Sequence, residues 1–321
     1  MSLSEFDLIR TYFSRATGVR ADVTLGIGDD CALLNVPAGR CLAVSIDTLV
    51  EGRHFLPTVA PDALGHKALA VNLSDLAAMG AEPAWVTLAI TLPAPDTAWL
   101  RAFVDGFARL AAQHNVQLVG GDTTRGPLSI TVQAHGFVDP AFALRRSGGA
   151  VGDRLFVSGT VGDAGLALRR MRDNAKIEAE DSYLLARLDR PTPRVALGRL
   201  LLGCATAAID VSDGLAADLR HLCQASGAGA RIDLARLPVS PAVAAACGRG
   251  EWHYALAGGD DYELLFSVGA DQADKVLAAC AAAGEAVQEI GCLVDEEGIA
   301  LVYPDGHVSK EIPDGFDHFR T

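Results

Sequence analysis

The stretch NLSDLAAMGAEP, residues 72–83, predicts the end of a helix that carries one acid within an apolar pattern. Four apolar residues in and just before it repeat with the 3.6-residue period of a buried helix face: Leu69, Leu73, Leu76 and Met79. Gly80 stands where helices often end in a left-handed residue. Asp75 interrupts the pattern, and a buried carboxylate is costly unless a cation or several donors compensate it. Taken alone, Asp75 is more simply an acid that points to solvent, because most acids are exposed.

Length and charge restrict the class of protein. With 321 residues, the chain is long enough for two domains that each bury a core. The formal net charge of −13 disfavours nonspecific binding to nucleic acid or to an anionic membrane. An anionic substrate is compatible with this charge only where metal ions or a few Arg and Lys side chains make the site locally positive.

The cysteines indicate a reducing compartment. There are seven, an odd number, and none forms a CxxC pair. We therefore expect small, mostly buried side chains, and neither a disulfide framework nor a zinc site. The N-terminus is amphipathic and acidic, unlike a signal peptide, and no apolar run approaches the ~18 residues of a membrane-spanning helix. These features predict a cytoplasmic protein without a membrane segment.

Strands and helices alternate along both halves of the sequence, which predicts an α/β or α+β fold. A first helix is expected where Ser2 and Glu5 have capping-box spacing. Strands are predicted at residues 41–46 and 116–119, each followed directly by a segment that carries an acid. The polar, Gly-rich segment RRSGGAVGD, residues 145–153, is the best candidate for a domain boundary.

Five short segments place acids at or beside predicted strand ends: GIGDD (26–30), SIDT (45–48), VGGDTT (119–124), IDVSDG (209–214) and GGDDYE (258–263). One such acid is usually a turn or N-cap residue. In open α/β sheets, however, ligands gather beyond the carboxyl ends of strands, and carboxylates that converge there need cations. Oxygen ligands without Cys or His favour Mg²⁺ or Mn²⁺ over zinc. Because Mg²⁺ usually takes one or two carboxylates plus substrate phosphates, the pattern points to phosphate chemistry.

Common nucleotide-binding signatures are missing from the sequence. It contains no GxxxxGK[ST] phosphate loop, and GIGDDC is not a dinucleotide-binding GxGxxG. The glycine loop, HRD and DFG set of protein kinases is also missing. A phosphoryl-transfer enzyme with this sequence therefore uses none of these common nucleotide-binding folds.

Taken together, the motifs resemble those of the thiamine-monophosphate kinase family, within the aminoimidazole-ribotide-synthetase-like (PurM-like) superfamily. The matching segments are GIGDDCALL, SIDTLVEGRHF, KALAVNLSDLAAMGA, VGGDTTRGPL, RSGGAVGD, IDVSDGL, AGGDDYEL and GFDHF. They span residues 26–319, so the resemblance covers nearly the whole chain. It implies an N-terminal domain at residues 1–138 with the metal and ATP site and the interface of a homodimer. A C-terminal α/β domain at residues 148–321 would follow.

The resemblance also implies an activity and a set of site residues. ATP would donate its γ-phosphoryl group to thiamine monophosphate, with several Mg²⁺ ions neutralising charge. The acceptor is a phosphate oxygen, already ionised at pH 7, so no general base is nominated. By this resemblance, the Mg²⁺ ligands are Asp30, Ser45, Ile46 (through its backbone), Asp47, Asp75, Asp122, Asp210 and Asp213. The ATP contacts are Gly121, Asp122, Arg146 and Ser212, and the thiamine monophosphate contacts are His54, Asp260 and Phe316.

One departure from the family pattern concerns Asp260, where the family more often has Glu. The Asp side chain is one methylene shorter, which makes a contact through water an alternative to a direct one. Simpler roles also remain open for other positions. His54 could be an ordinary loop histidine, Lys67 a solvated helix residue, and Phe316 and Phe319 could pack the tail down. The segment GTVGDAG, residues 159–165, could be an anion-binding helix start or a plain turn.

Two alternatives remain for the whole chain. It could be another ATP-using member of the superfamily, of the aminoimidazole ribotide synthetase or selenophosphate synthetase type. Selenophosphate synthetases normally need a reactive Cys or selenocysteine in a Gly-rich loop, and Cys31 begins an apolar CALL run, which argues against that activity. The chain could also be a sensor that binds Mg²⁺ and ATP without turnover.

Overall fold

The structure is a computed structural model that describes residues 4–173, 181–316 and 319. Its helices are α1 (Glu5–Leu8), α2 (Pro61–Ala78), α3 (Thr97–Gln113), α4 (Asp163–Arg172), α5 (Asp181–Asp189), α6 (Val195–Leu200), α7 (Leu215–Ser226), α8 (Pro241–Gly248), α9 (His253–Ala257) and α10 (Ala273–Ala282). Its strands are β1 (Val23–Leu25), β2 (Leu33–Leu34), β3 (Cys41–Val50), β4 (Glu82–Leu92), β5 (Gln117–Arg125), β6 (Ser129–Val138), β7 (Arg154–Ser158), β8 (Ala205–Val211), β9 (Gly229–Asp233), β10 (Glu263–Val268), β11 (Val287–Val294), β12 (Ile299–Val302) and β13 (Val308–Ser309). A π-helical segment (Ile9–Phe13) continues α1, and a 3-10 turn (Leu234–Arg236) follows β9.

The chain divides into two compact units. The first comprises Met1–Leu76 and Ala81–Ala141, and the second comprises Ala77–Gly80 and Phe142–Thr321. Each unit contains its own large sheet together with helices. The predicted mixed fold of helices and strands is therefore confirmed.

The first unit is built on a four-stranded sheet of order β3-β6-β4-β5. Burial alternates along β6, as expected for strands whose two faces differ. Helices α2 and α3 cross closely at two glycines: a Cβ on Gly65 would clash with the carbonyl oxygen of Phe103, and one on Gly106 with that of Asp62. Leu76 of α2 lies beside Gly136 of β6, so α2 packs on this sheet.

The second unit contains a seven-stranded sheet of order β13-β12-β9-β11-β7-β10-β8. β10 lies between β7 and β8 and is buried along its whole length. This position explains the three consecutive apolar residues Leu264, Leu265 and Phe266 in its middle, which are typical of a fully buried strand. Leu265 of β10 belongs to the core together with Leu155 of β7 and Ile209 of β8. Because β10 begins at Glu263, the core strand fixes the end of the GGDDYE segment.

One sequence prediction about the helices is confirmed by the structure, and one is wrong. α2 ends before Gly80, which has a φ of 65° in the left-handed region. α3 begins after Asp96, whose Oδ1 accepts hydrogen bonds from the backbone N–H groups of Ala98 and Trp99. Lys67 is only 2% exposed, so its description as a solvated helix residue is wrong.

Two predicted strands are too short. β3 continues through Asp47 to Val50, and β5 continues through Asp122 to Arg125. Both acids therefore lie within strands and not at strand ends. In β5 the reason is that Thr123 and the residue after it pair with β4, and β-branched residues fit a pleated sheet well. This pairing outweighs the turn signal of the two preceding glycines.

The first helix begins with a different cap from the predicted one. Ser4 and Asp7 form the capping box, in which each side chain accepts the backbone N–H of the other residue. Ser2, the predicted cap, lies outside the described residues. Within the described ranges, no helix is long and apolar enough to cross a membrane.

The cysteine prediction is confirmed in part. All seven cysteines are free thiols, as expected without a disulfide framework. The expectation that most are buried is wrong. The exposed ones are Cys31, Cys41 and Cys204, whereas Cys223, Cys247 and Cys280 are buried.

Candidate functional site

In the first unit, β3 faces α2 and brings polar side chains together. The Ser45 hydroxyl donates a hydrogen bond to Oδ2 of Asp75, and the Asp47 backbone N–H donates to Oδ1 of Asn72 at 3.1 Å. Asn72 is fully buried, and its amide also donates to the carbonyl of Ala68 at 3.1 Å. Ser45 and Asp47 share one face of β3, because side chains two positions apart point to the same side of a strand. The result is a cluster of Ser45, Asp47 and Asp75.

The orientation of Asp75 overturns its simplest description as a solvated acid. Its carboxylate is half-buried and accepts a hydrogen bond from β3. The oxygen donors of the cluster are the type that Mg²⁺ prefers, so these residues fit the ion. The described residues contain no group of three or more His, Cys, Asp or Glu side chains placed to hold a metal ion. An ion at this cluster would therefore take water and phosphate oxygens as further ligands, as Mg²⁺ commonly does.

His54 lies in the turn after β3 with a fixed ring. Its Nδ1 accepts a hydrogen bond from the Val50 backbone N–H at 3.0 Å, and its own backbone N–H donates to the Val50 carbonyl at 3.0 Å. Because Nδ1 is an acceptor, the proton of the neutral ring is on Nε2. His54 can therefore present an N–H donor to an anion.

Asp30 and Ile46 occupy exposed positions in the first unit. Asp30 follows β1, and its backbone N–H donates to Oδ1 of Asp29 at 2.8 Å. Ile46 lies between Ser45 and Asp47 on β3, and its side chain, 59% exposed, points to the opposite face. The predicted role of Ile46 uses only its backbone, so this orientation is compatible with it.

Asp122 lies on the sheet face opposite to Asp47. In the strand register Asp122 aligns with Ala89 of β4, Ala89 with Thr131 of β6, and Thr131 with Thr48 of β3. The hydroxyl oxygens of Thr48 and Thr131 are 2.8 Å apart, which confirms that both are on this face. The sheet therefore does not place Asp122 in the cluster of Ser45, Asp47 and Asp75.

In the second unit, the IDVSDG segment carries its polar residues at and just after the end of β8. Asp210 is buried within β8. The backbone N–H groups of Ser212 and Asp213 donate to Oδ2 of Asp218, at 3.0 and 3.1 Å. Burial, and after it the charge of Asp213, raise the pKa of Asp218 to about 7, while the charge of Arg146 acts in the opposite direction. Arg146 itself is exposed.

Asp218 is a candidate site residue that is missing from the sequence predictions. Its signal was present: the acid stands in the first turn of α7, directly after the SDG turn, where Asp commonly accepts backbone N–H groups. Its carboxylate holds the backbone of the two residues that the resemblance assigns to ATP and Mg²⁺. Asp218 therefore shapes the loop that presents Ser212 and Asp213.

The GGDDYE segment packs directly against the IDVSDG segment. The backbone N–H of Asp260 donates to the Ser212 carbonyl at 2.9 Å, and that of Tyr262 donates to the Val211 carbonyl at 2.8 Å. Asp260 and Tyr262 have φ values of 69° and 51°, unusual for residues other than Gly. Such conformations cost about 1–3 kcal/mol each and persist only where surrounding contacts impose them. The loop is therefore held in a shape that the chain would not adopt alone.

The C-terminal segment joins the same site. The backbone N–H of Phe316 donates to the Asp213 carbonyl at 3.0 Å, and Gly315 lies so close that a Cβ would meet the same carbonyl. Phe316 is 46% exposed and Phe319 is 97% exposed. Phe316 is thus partly covered and Phe319 is not, and the simpler role of these rings in packing the tail down stays a prediction. The His318 side chain of the same motif lies outside the described residues.

The two acids of GGDDYE have different environments. Asp260 is half-buried, and its Oδ1 accepts a hydrogen bond from the Tyr262 hydroxyl at 3.0 Å. Asp261 is fully buried, and its Oδ2 accepts the backbone N–H of Gly162 at 2.6 Å. Burial raises the pKa of Asp261 well above its usual value. The GTVGDAG segment is thus a helix start whose first N–H groups are occupied by Asp261.

Comparison with known proteins places the chain in a class. A family model described as AIR synthase related protein, N-terminal domain, matches residues 28–138, and one described as AIR synthase related protein, C-terminal domain, matches residues 150–304. Fold and sequence thus define a protein of the AIR synthase related class that contains both domains.

Individual relatives narrow this class. A thiamine-monophosphate kinase of Salmonella typhimurium (strain LT2) is 49% identical over 325 residues, covering 100% of this chain and 100% of that protein. The crystal structure of thiamine-monophosphate kinase from Stenotrophomonas maltophilia K279a is similar with a TM-score of 0.85 and 47% identity, over 90% of this chain and 93% of that one. A structure described as AaThiL complexed with AMPPCP and TMP has a TM-score of 0.79 and 32% identity, over 88% and 89% of the chains. The chain belongs to the thiamine-monophosphate kinase family.

Proposed function

We propose that this chain transfers the γ-phosphoryl group of ATP to thiamine monophosphate and so produces thiamine diphosphate and ADP. The observation that carries the proposal is the junction of three matched segments, where Asp260 binds the Ser212 carbonyl and Phe316 binds the Asp213 carbonyl through their backbone N–H groups. Two of these residues are assigned to the acceptor and two to ATP or Mg²⁺. The relative whose structure is described with AMPPCP and TMP supports the same pair of substrates.

The reaction requires positioning more than acid–base chemistry. The attacking atom is a phosphate oxygen of thiamine monophosphate, which is ionised at pH 7 and needs no base. It attacks the γ-phosphorus of ATP, and the bond from that phosphorus to the β,γ-bridging oxygen breaks, leaving ADP. Mg²⁺, when bound, supplies the neutralisation of phosphate charge. Several ions are proposed, because Asp122 lies on the sheet face opposite to Asp47. The residues that would hold these ions are Asp30, Ser45, Ile46, Asp47, Asp75, Asp122, Asp210 and Asp213.

The contacts of each substrate follow the chemistry of the side chains. Gly121, Asp122, Arg146 and Ser212 are proposed to contact ATP, with the exposed Arg146 guanidinium the natural partner of phosphate oxygens. His54 would donate from Nε2 to the phosphate of the acceptor. The half-exposed ring of Phe316 offers an apolar face to the cationic thiazolium. Asp260, held by the Tyr262 hydroxyl, completes the acceptor site.

Homodimer formation through the first unit is part of this proposal. β3 is an edge strand of its sheet, and the side chains of Leu42, Val44 and Ile46 on one of its faces are 40%, 51% and 59% exposed. An apolar row on an exposed edge favours pairing with another chain. Light scattering should show a dimer that Val44→Lys dissociates and that the control Val19→Lys, at a site 90% exposed, leaves intact. A monomeric wild-type chain would contradict this assembly.

The remaining parts of the proposal concern domains and location. Residues 1–138 and 148–321 are proposed as the two domains, and the cytoplasm as the compartment, which supplies ATP and Mg²⁺ and keeps thiols reduced. The cysteines, all seven of them free, are compatible with such a compartment.

The decisive experiment is incubation of the purified chain with Mg-ATP and thiamine monophosphate, followed by chromatography. We expect thiamine diphosphate and ADP in equal amounts. Parallel reactions with the substrates of aminoimidazole ribotide synthetase and selenophosphate synthetase test the alternatives within the superfamily. ADP formation only with one of these, or binding of ATP without any turnover, would overturn the proposed reaction.

A further inference from the structure

Behind the GGDDYE loop, a buried carboxylate is held by two guanidinium groups. Glu263, the first residue of β10, is 0% exposed. Arg194 donates to it from Nε at 2.6 Å and from Nη2 at 2.7 Å, and Arg187 donates from Nη2 at 2.7 Å. The Ser158 hydroxyl donates to the same carboxylate. Charge-assisted bonds of this kind fix both partners firmly when water is excluded.

Arg187 differs from Arg194 because it also binds the backbone of the loop. Its Nη2 donates to the carbonyl of Asp261 and to that of Thr160, at 3.2 Å each. Arg187 is 8% exposed, and its Nε lies 3.7 Å from Oδ2 of Asp163. Within the part of the chain that the structure describes, Arg194 makes no hydrogen bond to the backbone of residues 260–262.

The carbonyl that Arg187 binds lies between the two residues with left-handed conformations. Asp260 precedes Asp261 and Tyr262 follows it, and both have positive φ. Arg187 holds the backbone carbonyl of Asp261, and the N–H of Gly162 holds its carboxylate. Together these two hydrogen bonds fix the direction in which the peptide unit points. The side chain of Asp260 therefore leaves the loop in a direction that depends on Arg187.

We propose that Arg187 is a positioning residue for the acceptor substrate: it holds the Asp261 carbonyl so that Asp260 is presented to thiamine monophosphate. This inference rests on the proposed function and adds a residue of α5 that does not itself touch the substrate. The Asp260 side chain is the proposed acceptor contact, whereas ATP is assigned to other segments that meet this loop through backbone hydrogen bonds. The effect of Arg187 is therefore expected mainly on the acceptor.

The chain contains a matched control for this inference. Arg187→Gln and Arg194→Gln each remove one guanidinium from Glu263 and leave the other one in place. Only the first variant also removes the donor to the Asp261 carbonyl. A general loss of stability would affect both variants, whereas a loss of loop position would affect only the first.

The experiment measures steady-state kinetics of both variants and of Arg187→Lys, varying ATP and thiamine monophosphate separately. For Arg187→Gln we expect the KM for thiamine monophosphate to rise about tenfold, with the KM for ATP within about twofold of wild type. The KM values of Arg194→Gln should stay within about threefold of wild type for both substrates. Arg187→Lys, which keeps a cation with several donors, should fall between wild type and Arg187→Gln.

Three outcomes would overturn the inference. They are an unchanged KM for thiamine monophosphate in Arg187→Gln, an equal change of this KM in the two Gln variants, and a rise in the KM for ATP as large as that for thiamine monophosphate. If Arg187→Gln does not fold, the same comparison between Arg187→Lys and Arg194→Lys decides, with a rise in acceptor KM expected only for the first. Wild-type protein that does not phosphorylate thiamine monophosphate would instead contradict the proposed function. Calorimetric titration with thiamine monophosphate, which should bind Arg187→Gln more weakly than Arg194→Gln, gives a readout independent of turnover.

Discussion

The hydroxyl of Ser45 donates a hydrogen bond to the carboxylate of Asp75, which joins β3 to α2. This contact explains why an acid interrupts an otherwise apolar helix face. The carboxylate is half-buried, and the hydroxyl replaces part of the water that it has lost. Asp47, on the same face of β3 as Ser45, brings a second carboxylate to the cluster, and two neighbouring carboxylates favour a bound cation.

Replacement of Asp75 by Asn tests this cluster. The variant keeps the size and the hydrogen-bonding capacity of the side chain but removes its charge. We expect kcat to fall about 10²–10³-fold, because a proposed ligand of the ion that neutralises phosphate charge is lost. The circular dichroism spectrum should be unchanged. The Mg²⁺ concentration for half-maximal rate should also rise. Asp96→Asn, at an exposed helix cap where Asn serves equally well, is the control, and a normal kcat in Asp75→Asn would exclude Asp75 as a ligand.

A second prediction concerns Asp260, where the family more often has Glu. If a direct contact needs the longer side chain, Asp260→Glu should lower the KM for thiamine monophosphate, while Asp260→Ala raises it. Asp260→Glu should also lower Tm slightly. The reason is that φ at this position is 69°, and Asp tolerates left-handed conformations better than Glu. Steady-state kinetics and thermal melts measure the two effects. An equal rise in KM for both variants would show that the shorter acid is the one this site requires.

A third prediction concerns Gly121, a proposed ATP contact in β5. Gly121 has a φ of 152°, which residues with a side chain rarely adopt. It also lies so close to β4 that a Cβ would clash with the carbonyl oxygen of Leu88. Gly121→Ala should therefore lower the free energy of unfolding by about 2–4 kcal/mol. The neighbour Gly120 is a matched control, since a Cβ there would make only an ordinary contact with Thr87 at 3.8 Å. Urea denaturation of both variants measures the difference, and equal effects would contradict the steric argument.

The local patterns in the sequence were sufficient for some elements and not for others. The 3.6-residue period and the Gly at its end defined α2. Local signals gave the wrong ends for β3 and β5. Pairing with neighbouring strands extends each strand through acids and glycines that favour turns in isolation. The short strands β1, β2 and β13 have too few residues to show a period at all.

The candidate site shows the same limit more sharply. The pair Asp260 and Asp261 is indistinguishable in sequence, yet one lies at the candidate acceptor site and the other is buried against the start of α4. Only the path of the chain after β8 decides between them. The role of Arg187 could not be predicted from the sequence for a related reason. Its partners are a backbone carbonyl and a carboxylate more than 70 positions away, and no local spacing encodes such a contact.

A final prediction concerns acid stability and Asp22 in the first unit. Its carboxylate accepts hydrogen bonds from Arg20 Nε at 3.0 Å, Arg20 Nη2 at 2.6 Å and Trp85 Nε1 at 2.8 Å, and the bonds from Arg20 lower its pKa below the usual 3.8. A carboxyl group whose pKa is lower in the folded state contributes stability above its unfolded pKa and loses it as the pH falls through the folded pKa. Asp22→Asn should therefore lower the free energy of unfolding by about 1–3 kcal/mol at pH 7, and the difference from wild type should shrink below about pH 4 as the wild-type carboxyl is protonated. Urea denaturation across this pH range measures the effect, and a difference that stayed constant down to about pH 2 would show that packing, not charge, is responsible.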